Sequence, residues 1–190
     1  TDLLAEGDVV ILDNLVTPAT PDVTTDYDGR DKILSSSTVT ISRVVWPTGA
    51  STLMADAFEL YPYFAWGDDF YLPIGEDSGS TDFEYVGVSI MAGPNGATIN
   101  VDADNDSTFE ITQVLLEGES YTINGGLLAG ARITSDYPVQ AHVITGDVCY
   151  TYQTRWYNLL PTMLHSNSYL VPVATPDDTT SGGSDLTTIW

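Results

Sequence analysis

Two stretches of this 190-residue chain, about 100 residues apart, read alike. Lys32-Ile33-Leu34-Ser35-Ser36-Ser37-Thr38-Val39-Thr40-Ile41 aligns with Arg132-Ile133-Thr134-Ser135-Asp136-Tyr137-Pro138-Val139-Gln140-Ala141. Leu60-Tyr61-Pro62, followed by Phe70-Tyr71-Leu72-Pro73-Ile74, returns as Leu159-Leu160-Pro161 and Tyr169-Leu170-Val171-Pro172-Val173. Upstream, Leu4-Ala5-Glu6-Gly7-Asp8 and Ile11-Leu12-Asp13-Asn14 echo Leu115-Leu116-Glu117-Gly118-Glu119 and Thr122-Ile123-Asn124-Gly125. Repeated units extend a structure or a binding surface more readily than they build one asymmetric catalytic site. The second copy reads as unfinished. After Ile74 the chain continues through Phe83 to Ile90, whereas after Val173 it reaches only Leu186-Thr187-Thr188-Ile189-Trp190.

Within the copies, apolar residues alternate with polar ones at the period of a half-buried strand. Val86, Val88 and Ile90 share one face, as do Ile99 and Val101, Val39 and Ile41, and Val139, Ala141 and Val143. In the last set Gln140 and His142 fall on the opposite, polar face. Pro94-Asn95-Gly96 between two alternating runs reads as a hairpin connection. Helical pattern is scarce: Leu53 to Leu60 is long enough for two turns, and Leu159 to Leu164 is interrupted by Pro161. Val16 to Asp31, Gly75 to Asp82 and Ala174 to Ser184 carry the composition of loops. The expected fold is all-β, with two related β-sandwich-like halves forming a pseudo-twofold internal repeat. Residues 1–111 make the first half, with its central hairpin, and 112–190 a truncated second half. One pseudo-symmetric barrel, or a propeller-like arrangement of the same strands, fits the pattern too.

Acidic residues outnumber basic ones 27 to 5, a formal charge of −22. Such a surface repels nucleic acid and anionic membranes, and it keeps the chain hydrated or draws in divalent cations. The single cysteine, Cys149, excludes an intramolecular disulfide framework and reads as a buried thiol in a strand. No run approaches the length of a transmembrane helix, so membrane insertion is not expected.

The sharpest local motif is Asp102-Ala103-Asp104-Asn105-Asp106, with Glu110 four residues further on. Carboxylates at alternate positions converge when the backbone curls tightly, and hard oxygen ligands at this density suit calcium far better than zinc. Asp102, Asp104, Asp106 and Glu110 are therefore candidate calcium ligands, the alternative being a solvated acidic turn. The loop departs from the helix-flanked calcium-loop pattern, with Ser107 at the turn-glycine position and Gln113 at the closing-glutamate position. Asn105-Asp106-Ser107 is also an N-glycosylation acceptor, and a glycan on Asn105 would compete with metal ligation. Asp26-Tyr27-Asp28-Gly29-Arg30-Asp31 is a weaker acidic cluster.

No nucleophile elbow, paired metal-binding histidines or phosphate-cradling glycine loop is visible, so no enzyme is expected. The repeat counterparts of His142 and His165 are Ser42 and Trp66. Lys32 and Arg132 match between copies and read as neutralisers of local carboxylates. Tyr61, Tyr63, Phe64, Trp66, Trp156 and Tyr157 read as core, with an aromatic interface or sugar-stacking surface as the alternative.

Ile133-Thr134-Ser135-Asp136-Tyr137-Pro138-Val139, then Leu159-Leu160-Pro161 and Tyr169-Leu170-Val171-Pro172, resemble the IgGFc-binding protein N-terminal-like domain. The match runs over about residues 115–175, with a fainter second pass over 30–75. The resemblance implies an extracellular or cell-surface, repetitive β-rich module with an adhesive or structural role. It carries no antibody-binding residue to any position here. The expectation is an extracellular structural subunit that assembles with copies of itself into a fibre or surface array through β-strand contacts. Leu186, Thr187, Thr188, Ile189 and Trp190, or Val9, Val10, Ile11 and Leu12, would supply the bridging strand. The alternative is a calcium-dependent adhesin or glycan-binding module of a larger surface protein.

Overall fold

The computed structural model describes residues 5–11, 26–28, 33–45, 56–80, 83–146 and 155–170. Ten strands account for nearly all of its regular structure: β1 (Asp26–Asp28), β2 (Ser42–Val45), β3 (Asp56–Glu59), β4 (Gly67–Tyr71), β5 (Tyr85–Ala92), β6 (Ala97–Asp102), β7 (Ile111–Leu115), β8 (Glu119–Ile123), β9 (Arg132–Gly146) and β10 (Arg155–Asn158). Single 3₁₀ turns are described at Tyr63–Ala65, Glu76–Ser78 and Thr162–Leu164. Among the described residues every pairing is antiparallel. β2 and β3 form a two-stranded sheet, and the rest belong to one eight-stranded sheet in the order β1-β8-β5-β9-β6-β7, with β4 and β10 also on β9.

The 15-residue β9 organises the molecule. Its first half, Arg132–Ser135, carries β6 and β4, and its second half, Val139–Gly146, carries β5 and β10. Pro138, which has no N–H to donate, sits between the two sets of ladders. β5 and β6 both run antiparallel to β9 and do not pair with each other. Pro94-Asn95-Gly96 is therefore a tight turn, closed by Gly96 N–H donating to the Gly93 carbonyl at 3.0 Å, but not the expected hairpin. The flanking segments find their partner some 40 residues later, a non-local choice that the turn residues do not encode. The sheet curls until β7 approaches β8, a nearly barrel-like arrangement around one core.

Phe70, Leu72, Ile90, Ile99, Leu127 and Ile133 are sealed in that core. Each such side chain contributes roughly 1.5–3 kcal/mol on burial. The alternating runs place Val86, Val88, Ile90, Ile99, Val101, Val139, Ala141 and Val143 inside. Two expectations fail. Asp56–Glu59, read as part of a short helix, is a strand because it pairs with Ser42–Val45. Asp26–Asp28, read as loop, pairs with Glu119–Tyr121.

Local geometry recurs where the sequence does. Ala5 N–H donates to Asp8 Oδ2 at 2.8 Å and Asp8 N–H to the Ala5 carbonyl at 3.1 Å. Leu116 and Glu119 make the same two bonds at 2.8 and 3.0 Å. Gly7 (φ +88°) and Gly118 (φ +73°) supply the left-handed residue each turn needs. The β2–β3 ladder, Ser42↔Glu59 to Val45↔Asp56, is matched by β9–β10, His142↔Asn158 to Thr145↔Arg155. Beyond the ladders, Leu60 N–H reaches the Ile41 carbonyl and Leu159 N–H the Ala141 carbonyl, both at 2.8 Å. Pro62 and Pro161 then open 3₁₀ turns with φ near −65°. Trp66 Nε1 donates to the Tyr61 carbonyl at 2.9 Å, and His165 Nε2 lies 3.2 Å from the Leu160 carbonyl.

Candidate functional site

Residues 103–110 form the loop that joins β6, whose last residue is Asp102, to β7, closed by Glu110 N–H donating to the Val101 carbonyl at 3.0 Å. Asp102 is buried, whereas Asp104, Asp106 and Glu110 are exposed. One ligand oxygen from each lies within 4.8 Å of the others, so the cluster can hold a metal ion. That spacing fits a cation bound by oxygens at about 2.3–2.6 Å, as calcium is.

The loop is shaped by its own carboxylates. Asp102 Oδ1 accepts Asp106 N–H at 3.1 Å and Oδ2 accepts Ser107 N–H at 2.9 Å. Glu110 Oε2 accepts Ala103 N–H at 2.7 Å, and Asp106 Oδ1 accepts Thr108 N–H at 2.7 Å. Asn105 (φ +61°) and Ser107 (φ +75°) adopt the left-handed region. Asn105 is exposed, yet its amide nitrogen lies where a Cβ on Gly130 would fall, 2.6 Å away.

Arg132, the cation nearest this loop in the ladders, stands opposite Asp102. Its Nε donates to Asp69 Oδ1 at 2.8 Å, and its guanidinium lies 5.3 Å from the Tyr71 ring centre. The hydrogen bond to Asp69 holds its pKa above the ordinary arginine value. Among the described residues, other acids accept from backbone N–H groups. Glu76 Oε1 accepts from Val86 and Gly126, and Asp77 Oδ1 from Ala129, at 2.7–3.0 Å.

The candidate assembly segments differ in what can be said of them. Val9, Val10 and Ile11 are 84, 43 and 75% exposed. Leu12 and Leu186–Trp190 lie outside the described residues, as do Lys32 and Cys149. Among the aromatics, Phe64 is 85% exposed at the tip of its 3₁₀ turn, so it is not core.

Sequence reasoning missed a set of buried polar atoms on β9 and β10: His142 and its partner Asn158 lie on the outer face, while Thr145 and Tyr157 lie on the core face with Val143. His142 Nε2, Thr145 Oγ1, Tyr157 OH and Asn158 Oδ1 are buried with no partner among the described residues. The β2–β3 hairpin covers the outer face: Phe58 packs on His142 and Trp156, and Arg43 lies 5.0 Å from the Trp156 ring centre. Burial, aided by Arg43, lowers the His142 pKa to about 4; burial raises that of Tyr157 to about 12. The alternation that put His142 outward was right about its face and silent about the cover.

Comparisons with protein families, curated proteins and solved structures return no match for this chain. Among the described residues no helix is long and apolar enough to cross a membrane.

Proposed function

We propose that this protein is a non-enzymatic extracellular structural subunit that joins copies of itself into a fibre or surface array through β-strand contacts. One observation carries the reading. Ser120–Thr122, after the Leu116–Glu119 turn, is held in β8 between β1 and β5, whereas Val9–Ile11, after the matching Ala5–Asp8 turn, stands exposed. A stretch of that composition without a ladder is a template for another chain. The recurring turns and hairpins support two related halves, with 1–111 and 112–190 as their extents. The resemblance to the IgGFc-binding protein N-terminal-like domain supports a cell-surface setting. Leu186–Trp190 is the second bridging strand in this reading.

Because a charge of −22 opposes self-association, assembly strengthens as salt screens it. Negative-stain imaging and sedimentation at low and high salt test the proposal. Polymers should form in the wild type and be lost on deleting 186–190 or in Val9→Asp/Ile11→Asp, with the fold retained. A monodisperse wild-type monomer at every salt and concentration overturns it.

The four-carboxylate loop favours a second reading, a calcium-dependent adhesin or glycan-binding module, with Asn105 as a glycan acceptor. Saturable calcium and sugar binding by a strictly monomeric protein would select it.

A further inference from the structure

The recurrence of local geometry leaves two segments whose counterparts are paired while they themselves are not. Ser166–Leu170 follows the Thr162–Leu164 turn as Gly67–Tyr71 follows the Tyr63–Ala65 turn. Gly67–Tyr71 is β4, paired with the first half of β9 and bringing Phe70 into the core at 1% exposure. Ser166–Leu170 belongs to no ladder. Ser166 N–H donates only to the nearby Tyr169 hydroxyl, Tyr169 is 61% exposed and Leu170 is 100% exposed.

The first half of β9 has its own counterpart in Ile33–Val39, which directly precedes β2 as Ile133–Val139 precedes the part of β9 that pairs with β10. Ile133 and Val139 are sealed in the core, but Ile33, Leu34 and Val39 are 48, 81 and 51% exposed, and the segment lies in no ladder. The chain therefore presents both sides of a strand pair that it forms elsewhere within itself, each side lacking the other.

We infer that Ser166–Leu170 of one copy pairs antiparallel with Ile33–Val39 of a second copy, in the register that β4 adopts on β9. This rests on the self-assembly reading and adds to it a contact distinct from the bridging strands Val9–Ile11 and Leu186–Trp190. The internal register is Gly67↔Val139, Asp69↔Thr134 and Phe70↔Ile133. Carried across the repeat, it becomes Ser166↔Val39, Ser168↔Leu34 and Tyr169↔Ile33. Tyr169 and Ile33 take the buried places of Phe70 and Ile133, while Leu34, like Thr134, faces outward. The donor and acceptor segments differ, so the contact is head-to-tail and propagates unless rotation closes it.

Antiparallel partners have Cα atoms about 4.5–5.5 Å apart, within disulfide reach. In full-length protein carrying Cys149→Ser, Ile33→Cys and Tyr169→Cys are made as separate variants, mixed and oxidised. Both sites are exposed, and circular dichroism checks that each variant folds. Mixing should yield a disulfide-linked heterodimer. Ser36→Cys mixed with Tyr169→Cys, displaced by about 10 Å along the strand, should not. A synthetic peptide spanning 164–173 should cap and shorten wild-type assemblies, whereas its Tyr169→Lys form should not. Wild-type polymers with no Ile33–Tyr169 link and no peptide effect overturn this register and leave assembly standing. Wild type that stays monomeric, with no link, overturns both.

Discussion

Phe58 sets its ring edge-on to that of His142, with centroids 4.9 Å apart, and so joins the β2–β3 hairpin to the long strand β9. The contact explains why His142 is 7% exposed on a face whose sequence reads as polar. A buried imidazole beside Arg43 resists protonation, and its pKa falls to about 4. In the unfolded chain the same group titrates near its ordinary value of 6.5. Between these values the unfolded state binds more protons, so stability declines as pH falls from about 6.5 towards 4. The loss approaches about 3 kcal/mol once the folded-state value is passed. Urea denaturation at pH 7, 5.5 and 4.5 should show this slope, and His142→Leu should flatten it relative to wild type. An unchanged slope in the variant would assign the pH dependence to the carboxylates.

Among the described glycines, Gly75 makes the closest approach that a side chain would disturb. A Cβ there would lie 2.0 Å from Ala129 N and 2.1 Å from the Leu128 carbonyl carbon. These are backbone atoms, fixed in part by Glu76 N–H donating to the Leu127 carbonyl at 2.9 Å and Asp77 accepting from Ala129. Gly75→Ala should cost about 3 kcal/mol or more. Gly79 is the contrast: it has φ +74° but open space around it, so Gly79→Ala should cost about 1 kcal/mol. Equilibrium denaturation of the two variants measures the difference. Equal losses would mean that the close approach relaxes freely.

What the sequence disclosed, and what it hid, divides along local and non-local causes. Val86, Val88 and Ile90 could be assigned inward because period two sets the face of a strand by itself. The four carboxylates of the β6–β7 loop fall within nine residues, so their convergence needs only a curled backbone. The partner of β6 was hidden, since β9 lies beyond two further strands in sequence. For the same reason Asp56–Glu59 looked helical: four residues carry too little pattern to announce a strand whose partner is Ser42–Val45. The cover over His142 was equally invisible, because Phe58 reaches it from more than 80 residues away. The repeat was the exception, a long-range feature readable as text. Similar turns occur at Ala5–Asp8 and Leu116–Glu119, where two of its matched segments lie.

Asp69 serves two elements at once, accepting from Arg132 Nε at 2.8 Å and from Thr162 Oγ1 at 3.3 Å. It thereby ties β4 to β9 and to the 3₁₀ turn Thr162–Leu164. The ion pair is partly exposed, with side chains at 41 and 27%, so solvent screens much of its Coulomb energy. Asp69→Asn should therefore cost no more than about 1 kcal/mol at low salt, and less at about 0.5 M salt. Thermal melts at both salt concentrations check this. A loss that does not shrink with salt would place the Thr162 hydrogen bond, rather than the ion pair, at the centre of the site.

The acidic loop offers the sharpest test because its carboxylates have two separable tasks. Asp102 is buried and accepts with both oxygens, from Asp106 and Ser107, whereas Asp104 and Glu110 are exposed and each accepts one backbone N–H, leaving one oxygen to spare. If calcium binds, it stabilises the fold by mass action, about 2.7 kcal/mol at a hundredfold excess over the dissociation constant. That corresponds to a rise in melting temperature of roughly 5–10 °C for a chain of this length. Asp104→Asn should abolish the rise and leave the calcium-free melting temperature nearly unchanged. Asp102→Asn should lower both, because it also removes an acceptor the loop depends on. Magnesium, which is smaller and gives up its water reluctantly, should produce little of the effect. Arg132 stands across the ladder from Asp102 and opposes a bound cation, so Arg132→Gln should tighten calcium binding in calorimetry, by roughly two- to fivefold through solvent-screened repulsion. Weaker binding in that variant would mean that Arg132 shapes the loop more than it repels the ion.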